Sequence, residues 1–541
     1  MISLYTAYSE LLKRAGELVR TAPNAPGRQD AALTSRRIVL KALSGLMLAL
    51  FVSTFSSTIV SSALPKIIGA VDGSQTQYTW VVTASLLTTT ATTPIWGKLA
   101  DLYSKKILLQ VAIAIFILSA LASGISQTGT QLIASRALQG IAVGGVQALV
   151  QIAIAAMIPP RERGRYSGYI SSVTATSTIG GPLLGGVIVD TSWLGWRWCF
   201  FIGVPVAVVA LLLLQRTLNL AVIRRENVKI DYLGAGLIAA GVSVLLIWVS
   251  FVDSSFAWTS WQTAVMVGVG LVLLFAAVWV ESRAAEPVVP LAIVRQRITA
   301  LAIVGSLAVG TAMFGASVFL SQYFQVSRGH SPTEAGLLTI PMMIGILIAS
   351  TVAGRLISRT GKIKPFVVTG AVLLAVGCAG LGTIDYRTPM LFLSVSMLCV
   401  GMGVGMTLQN LVLTVQNTVQ LKDVGAASST VSFFRSLGGT IGVSVLGAVL
   451  ARHVDDQIAR GLAANGLSGA SHRAVQSPVM QQIVRAAYGS ATAQVFLLSA
   501  IVASLAVIAA ILLPPVQLRS SLDLAEKTPA VTPQPSVSLP D

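Results

Sequence analysis

The chain has 541 residues, 54% of them hydrophobic and 11% charged, with a formal net charge of +17. Soluble domains carry roughly a quarter charged residues, so this composition excludes a soluble globular protein and points to a chain folded in lipid. Charge-free runs long enough to cross a bilayer, about 20 residues each, recur from end to end.

Fourteen spans are predicted, at roughly 41–63, 76–97, 107–127, 131–155, 166–189, 197–215, 232–251, 262–281, 298–321, 334–354, 365–384, 388–414, 427–451 and 489–513. An even number puts both ends on one side. Of the 37 Lys and Arg, 26 fall in the two tails and in alternate loops, and eight in the opposite loops (Lys66, Arg197, Arg328, Arg387, Arg452, Arg460, Arg473, Arg485). The positive-inside rule then predicts cytoplasmic tails. The net charge becomes a matter of topology, and nucleic acid is not needed to explain it.

Residues 1–40 read as a cytoplasmic tail, in which Leu4, Tyr8, Leu11, Leu12, Ala15 and Leu18 recur at helical spacing. That is either an amphipathic helix on the membrane surface or a disordered segment. Residues 41–215 are expected to form an N-terminal six-helix bundle and 216–297 a linker with two inserted transmembrane helices. A C-terminal six-helix bundle over 298–513 is expected to carry an external loop at 452–488, and 514–541 reads as a disordered cytoplasmic tail.

The second half of the first span, with Ser53, Thr54, Ser56, Ser57, Thr58, Ser61 and Ser62, is crowded with hydroxyls. Such hydroxyls bond back to their own helix, and at this density they also predict a face lining a cavity; Pro65 is expected to end the helix. The loudest polar signal follows at Gly97–Lys106, GKLADLYSKK, where Asp101 stands among Lys98, Lys105 and Lys106. Asp101 is either a latch that binds basic groups or a helix N-terminus of the other half, or a solvated loop residue. Gly354–Lys362, GRLISRTGK, repeats the pattern 257 residues on, and Gly140 and Gly144 recur as Gly401 and Gly405 at an offset of 261. Spans one to six therefore correspond to nine to fourteen, with a middle pair inserted; paired halves are a common plan for secondary transporters.

Arg136 lies inside the fourth span, where an ionisable residue is by default a functional candidate, with snorkelling to the headgroups as the other reading. Gln147, eleven residues on, falls close to the same helical face. The fifth span contains STIGGPLLGG, in which Gly180, Gly181, Pro182, Gly185 and Gly186 allow close approach and bending. Gln409, Asn410, Gln416 and Asn417 in the twelfth span either bind substrate or glue helices together. Arg435 in the thirteenth is a cavity charge or an anchor. Three cysteines (Cys199, Cys378, Cys399) and three scattered histidines (His330, His453, His472) predict neither a disulfide framework nor a metal site. No nucleophile and base pair is evident, so neither catalytic residues nor a cofactor is expected.

In order along the chain, these motifs resemble the fourteen-span drug:proton antiporters of the major facilitator superfamily. GKLADLYSKK looks like that superfamily's loop motif, with Ser104 where a glycine is usual. LIASRALQGIAVGG is similar to its fourth-span arginine motif, and STIGGPLLGG to its fifth-span antiporter motif. The resemblance implies an all-helical major facilitator fold of two pseudo-symmetric six-helix bundles plus two inserted helices. It also implies export of amphipathic small molecules by alternating access, powered by the proton gradient, with Arg136 assisting proton transfer. The family's first span usually carries an Asp in a pattern like LDxTIVNxALP; here FSSTIVSSALP puts Ser56 at that position. No Asp or Glu remains deep in any predicted span, so the usual proton carrier is missing. A facilitator, or an exporter of a lipid or metabolite, is the alternative. The expected setting is the cell membrane, with the lipid bilayer and a small amphipathic substrate as partners, a monomer, and no nucleic acid. Expected sites are Gly97, Asp101, Lys105 and Lys106 for gating, Ser56, Thr58, Arg136 and Gln147 along the cavity, and the fifth-span glycines and Pro182 as a hinge.

Overall fold

In lipid, every backbone N–H and C=O must find its partner within the protein, and a helix does this inside a single segment. Fourteen long helices result: α1 (Pro26–Ala70), α2 (Gln75–Leu102), α3 (Lys105–Ile125), α4 (Gly129–Met157), α5 (Pro160–Asp190), α6 (Trp198–Thr217), α7 (Tyr232–Phe251), α8 (Trp261–Glu281), α9 (Arg297–Gln322), α10 (Ile340–Thr360), α11 (Lys364–Leu381), α12 (Met390–Gln416), α13 (Val424–Ala464) and α14 (Pro478–Leu512). They come from a computed structural model that describes residues 26–518 except 72–74, 192–193, 219–230, 253–255, 285–286, 288, 290, 421–422, 465–477 and 517. The proposed tail helix at 4–18 and the last residues of the chain lie outside the described residues. Eleven of the described helices are long and apolar enough to cross a membrane; α2, α5 and α7 complete the set.

Local chemistry sets where the helices start and stop. Thr128 caps α4 by accepting from the Gln131 N–H at 3.3 Å. Ser331 and Glu334 form a reciprocal capping box at the short helix Pro332–Leu338 that leads into α10. Gly361, with φ at +71°, ends α10 in the left-handed conformation that glycine adopts without penalty. Pro65 does not end α1, contrary to expectation: the helix runs on to Ala70, as membrane helices permit where neighbours satisfy the freed carbonyl.

The helices form two bundles, α1–α6 and α9–α14, each with its own apolar core. The inserted α7 and α8 pack on each other, and Ala235, Ile238, Val242, Leu246 and Ala277 share one apolar cluster with Phe433 of α13. The glycine spacing marks one seam in each half. A Cβ on Gly140 would lie 2.3 Å from the Ser85 carbonyl of α2, and one on Gly144 2.7 Å from that of Thr89. In the second half, a Cβ on Gly401 would lie 1.9 Å from the Met342 carbonyl of α10, and one on Gly405 2.6 Å from that of Ile346. In both repeats, then, the fourth helix leans backbone to backbone on the second. Thr88 and Thr89 reinforce the first seam, donating to the carbonyls of Ala137 and Gly140 at 2.7 and 3.0 Å.

This packing makes Gly401→Ala a destabilising change of about 1–3 kcal/mol, the usual cost of overpacking, because a backbone carbonyl cannot swing away. Gly268→Ala, in α8 with nothing within 4 Å of its Cβ, is expected to be neutral. Thermal unfolding of the two variants in detergent checks the contrast.

Candidate functional site

The two bundles meet at the end where the charged hairpins lie. Gly97 has no side chain, and a Cβ there would sit 1.9 Å from Ser429 Oγ of α13; a Cβ on Gly425 would sit 2.5 Å from the Gly97 carbonyl. The close approach lets Asp101, one turn further along α2, reach the start of α13. The Gly425 N–H donates to its Oδ1 at 2.8 Å and the Ala426 N–H to Oδ2 at 2.7 Å. Those amides have no partner within their own helix, and the positive end of the helix dipole favours an anion. Asp101 lies beyond the apolar run of 76–97. Burial pushes its carboxyl up to about 7, against the opposing pull of the two amides and of Lys105.

Of the neighbouring lysines, Lys105 stands in the electrostatic reach of Asp101. Lys106 turns elsewhere and donates to the Gln215 carbonyl at the end of α6, 2.7 Å away and in its own bundle. A second tie between the bundles, which sequence reasoning missed, starts at Arg163 near the beginning of α5. Its guanidinium donates to the Ile158 and Ala155 carbonyls at 2.6 and 2.5 Å and to Gln416 Oε1 of α12 at 2.9 Å. Gln416 in turn donates to Ser428 Oγ of α13 at 2.9 Å. In sequence, Arg163 is one of three arginines in a basic loop, with nothing to separate it from a topology signal.

Deeper in the first bundle, Arg136 is 4% exposed. Its partner is Gln139, to whose Oε1 it donates, and Gln139 passes the interaction to Ser56, donating from Nε2 to Oγ at 2.9 Å. Arg136 Nε has no hydrogen-bond partner among the described residues. Ser56 thus joins the arginine through an amide, with no carboxylate in the network among the described residues. Gln147, the residue picked out by helical face, is half-buried and separate from this network. Thr58 sits in the seam between α1 and α5, donating to the Ser177 carbonyl at 3.0 Å, and a Cβ on Gly181 would lie 2.1 Å from its Oγ1. Gly181 and Gly185 are buried and Gly180 half-buried along α5, with Pro182 and Gly186 on the same helix.

In the second bundle, Gln409, Asn410, Gln416 and Asn417 are all buried. Asn410 Nδ2 donates to the Met406 carbonyl at 2.6 Å, and its Oδ1 is buried without a partner among the described residues. Arg435 is half-buried, eleven residues into α13 from Val424, which is about 16 Å along the axis at 1.5 Å per residue. That depth argues against an anchor reaching the headgroups. No group of three or more His, Cys, Asp or Glu among the described residues could hold a metal ion.

Gln139→Leu should leave both Arg136 and Ser56 with an unmet hydrogen bond in a buried place, at a cost of about 1–3 kcal/mol. Gln147→Leu should cost far less. Melting temperatures of the two purified variants distinguish the networks.

A family model described as the Major Facilitator Superfamily matches residues 46–230 and 230–443. An uncharacterized MFS-type transporter of Mycobacterium tuberculosis is 36% identical over 516 residues, covering 94% of this chain and 74% of the relative. The multidrug transporter MdtP of Bacillus subtilis is 35% identical over 419 residues, covering 77% of this chain and 76% of its own. Among solved structures, the proton:xylose symporter XylE superposes with a TM-score of 0.56 at 15% identity, covering 89% of this chain and 97% of its own. The human organic anion transporter MFSD10 gives 0.55 at 14%, covering 86% and 99%. At those identities the two structures speak for the fold alone. With the paired bundles and the sequence matches in agreement, the chain belongs to the Major Facilitator Superfamily and is a multi-pass membrane transporter.

Proposed function

We propose that this transporter is an exporter of small amphipathic molecules, of the fourteen-span drug:proton antiporter type, working by alternating access as a monomer in the cell membrane. The observation that carries the reading is the seat of Asp101 on the N-terminus of α13. It is a bond between halves, made from backbone amides of α13 to a side chain of α2, so it can open without either half losing its own fold. The distribution of Lys and Arg argues that this end is cytoplasmic, so the conformation described is closed toward the cytoplasm. Release of Asp101, together with the Arg163–Gln416 tie, would let the halves rock apart there. The relatives named a multidrug transporter and a multidrug resistance protein support drugs as the substrate class.

A second reading has an observation of its own. The position where the family keeps a first-span Asp is Ser56, bonded to Gln139, and no carboxylate acts on Arg136 or Arg435 among the described residues. A path lined by cations and amides favours an acidic amphipath, by Coulomb attraction in a medium of low dielectric, and suits a facilitator without proton exchange. Proteoliposomes loaded with a pH-sensitive dye separate the two readings. Proton movement driven by a cationic, neutral or anionic amphipath, and abolished by Arg136→Ala, is the result expected of an antiporter. Flux of radiolabelled compound with no proton signal would overturn proton coupling, and no flux of any kind would overturn the export reading.

The Asp101 contact also predicts a pH response. Seated on α13, its carboxyl titrates near 7, above the ordinary value of 3.8; released into water it returns toward the ordinary value. The seated state therefore holds the proton more tightly and gains as pH falls through 7, whereas at higher pH an ionised carboxylate is buried at a cost. Spin labels at Tyr103 and Thr360, in a background without native cysteines, should report longer distances at pH 8 than at pH 6. Asp101→Asn should flatten that dependence.

A further inference from the structure

At the end opposite the hairpins, α9 does not simply stop. It passes into a π-helical turn, Tyr323–Ser327, a form that is rare and concentrates at functional sites. The turn is firmly held: Tyr323 and Phe324 are fully buried, and Tyr323 Oη donates to the Asp385 carbonyl at 2.6 Å. Arg328 follows immediately and clamps the next loop, donating from Nη1 to the Tyr386 carbonyl at 2.6 Å and from Nη2 to that of Thr388 at 2.7 Å. Ser327 Oγ donates to the Arg485 carbonyl at 2.8 Å, which ties in the start of α14.

Between these pieces lies a cavity of about 660 Å³, within the range of small-molecule sites. Its walls bring together two arginines from distant parts of the chain. Arg328 has N–H groups left over after its two carbonyl bonds, since a guanidinium carries five. Arg485 is exposed, and its guanidinium makes no hydrogen bond to a described residue. It lies against Gly329, where a Cβ would come within 2.9 Å of Nη2 and where φ is +75°. Glycine is required there by the backbone, and its lack of a side chain is what admits the second guanidinium. His330, Gln481 and Gln482 add donors, while Leu338 and Met390 supply an apolar side.

No carboxylate is among the described residues that line the cavity. Two acids stand near it without lining it: Glu334 faces His330 at 3.4 Å and accepts from the Ser331 N–H at 2.9 Å, and Asp385 lies in the electrostatic reach of Arg328. Asp385 accepts from the Arg387 N–H and Thr388 Oγ1 at 2.8 and 2.9 Å. Beyond Leu338 and Met390, the neighbouring Leu337 and Leu391 are 43% and 76% exposed, as on a lipid-facing surface. A pair of guanidinium forks with an apolar exit toward the bilayer matches an anionic head on an alkyl chain.

We propose that this cleft is a binding site for the phosphate head of an anionic amphiphile, gripped by Arg328 and Arg485, with its chain running out over Leu338 and Met390. The head belongs to a lipid of the adjacent leaflet or to a free amphiphile. The site is separate from the Asp101 and Arg136 regions and does not depend on the coupling mechanism.

The test uses the full chain in nanodiscs of neutral phosphatidylcholine, titrated with dodecyl phosphate, dodecyl maltoside and inorganic phosphate. Dodecyl phosphate should bind at least about tenfold tighter than dodecyl maltoside, and Arg485→Gln should weaken it about tenfold or more, as expected for lost charge-assisted hydrogen bonds. Gln482→Glu, which adds a negative charge at an exposed position, should weaken it as well while leaving the melting temperature unchanged. Native mass spectrometry after reconstitution with phosphatidylglycerol identifies the source. Lipid retained by the wild type and lost from Arg485→Gln supports a leaflet lipid; dodecyl phosphate binding without retained lipid supports a free amphiphile. Equal affinity for dodecyl phosphate and dodecyl maltoside, or unchanged binding in both variants, would overturn the proposal.

Discussion

Two backbone amides at the start of α13 need acceptors, and the side chain that supplies them comes from α2, 324 residues away for Gly425. Much of the arrangement at that end follows from this need. Gly97 and Gly425 have to lack side chains for the helices to come close enough, and Asp101 has to stand one turn beyond Gly97. The short link Tyr103–Ser104 then turns the chain into α3. A carboxylate held by main-chain donors is tight in geometry yet reversible, because those amides can also be satisfied by water.

Much of this was legible in the sequence. Charge-free runs of membrane length gave the helices, and two hairpins at matching offsets gave the paired halves. Asp101 carried the alternatives of a helix-terminus ligand and a solvated residue, and the geometry at Gly425 and Ala426 selects the first. The glycines at 140 and 144, and at 401 and 405, marked the repeat, and in the structure they form the seams of α4 with α2 and of α12 with α10. Periodicity says which residues share a face; it does not say what that face meets.

Gln139 and Arg163 show the same limit from another side. Eleven residues bring Gln147 back to within about 20° of Arg136 around a helix of 100° per residue, while Gln139, three residues on, is about 60° away. The nearer residue still wins, since a glutamine side chain bridges one turn and since Ser56 on another helix is there to receive it. Arg163 is chosen by the carbonyls at the end of α4 and by Gln416, which are hundreds of residues apart in the chain and close only once the bundles have assembled. Pro65 misled in the opposite direction, because the rule that proline stops a helix is learned in water.

The length of α13 carries a mechanical consequence. At 41 residues it measures about 60 Å, twice the thickness of a bilayer's hydrocarbon core, and its far portion continues as a stalk where Gly461 meets Ile483 of α14. Near its middle, Gly438, Gly439 and Gly442 press directly on α9. A rod held at one tip by Asp101 and bearing on a glycine contact partway along is a lever with a fulcrum. Tilting it by about 10° about those glycines would displace the tip at Asp101 by about 4 Å and the far tip by about 6 Å in the opposite direction. On the proposed mechanism, the state of one small carboxylate at one face of the membrane would thereby be written, enlarged and inverted, into the position of a stalk on the other.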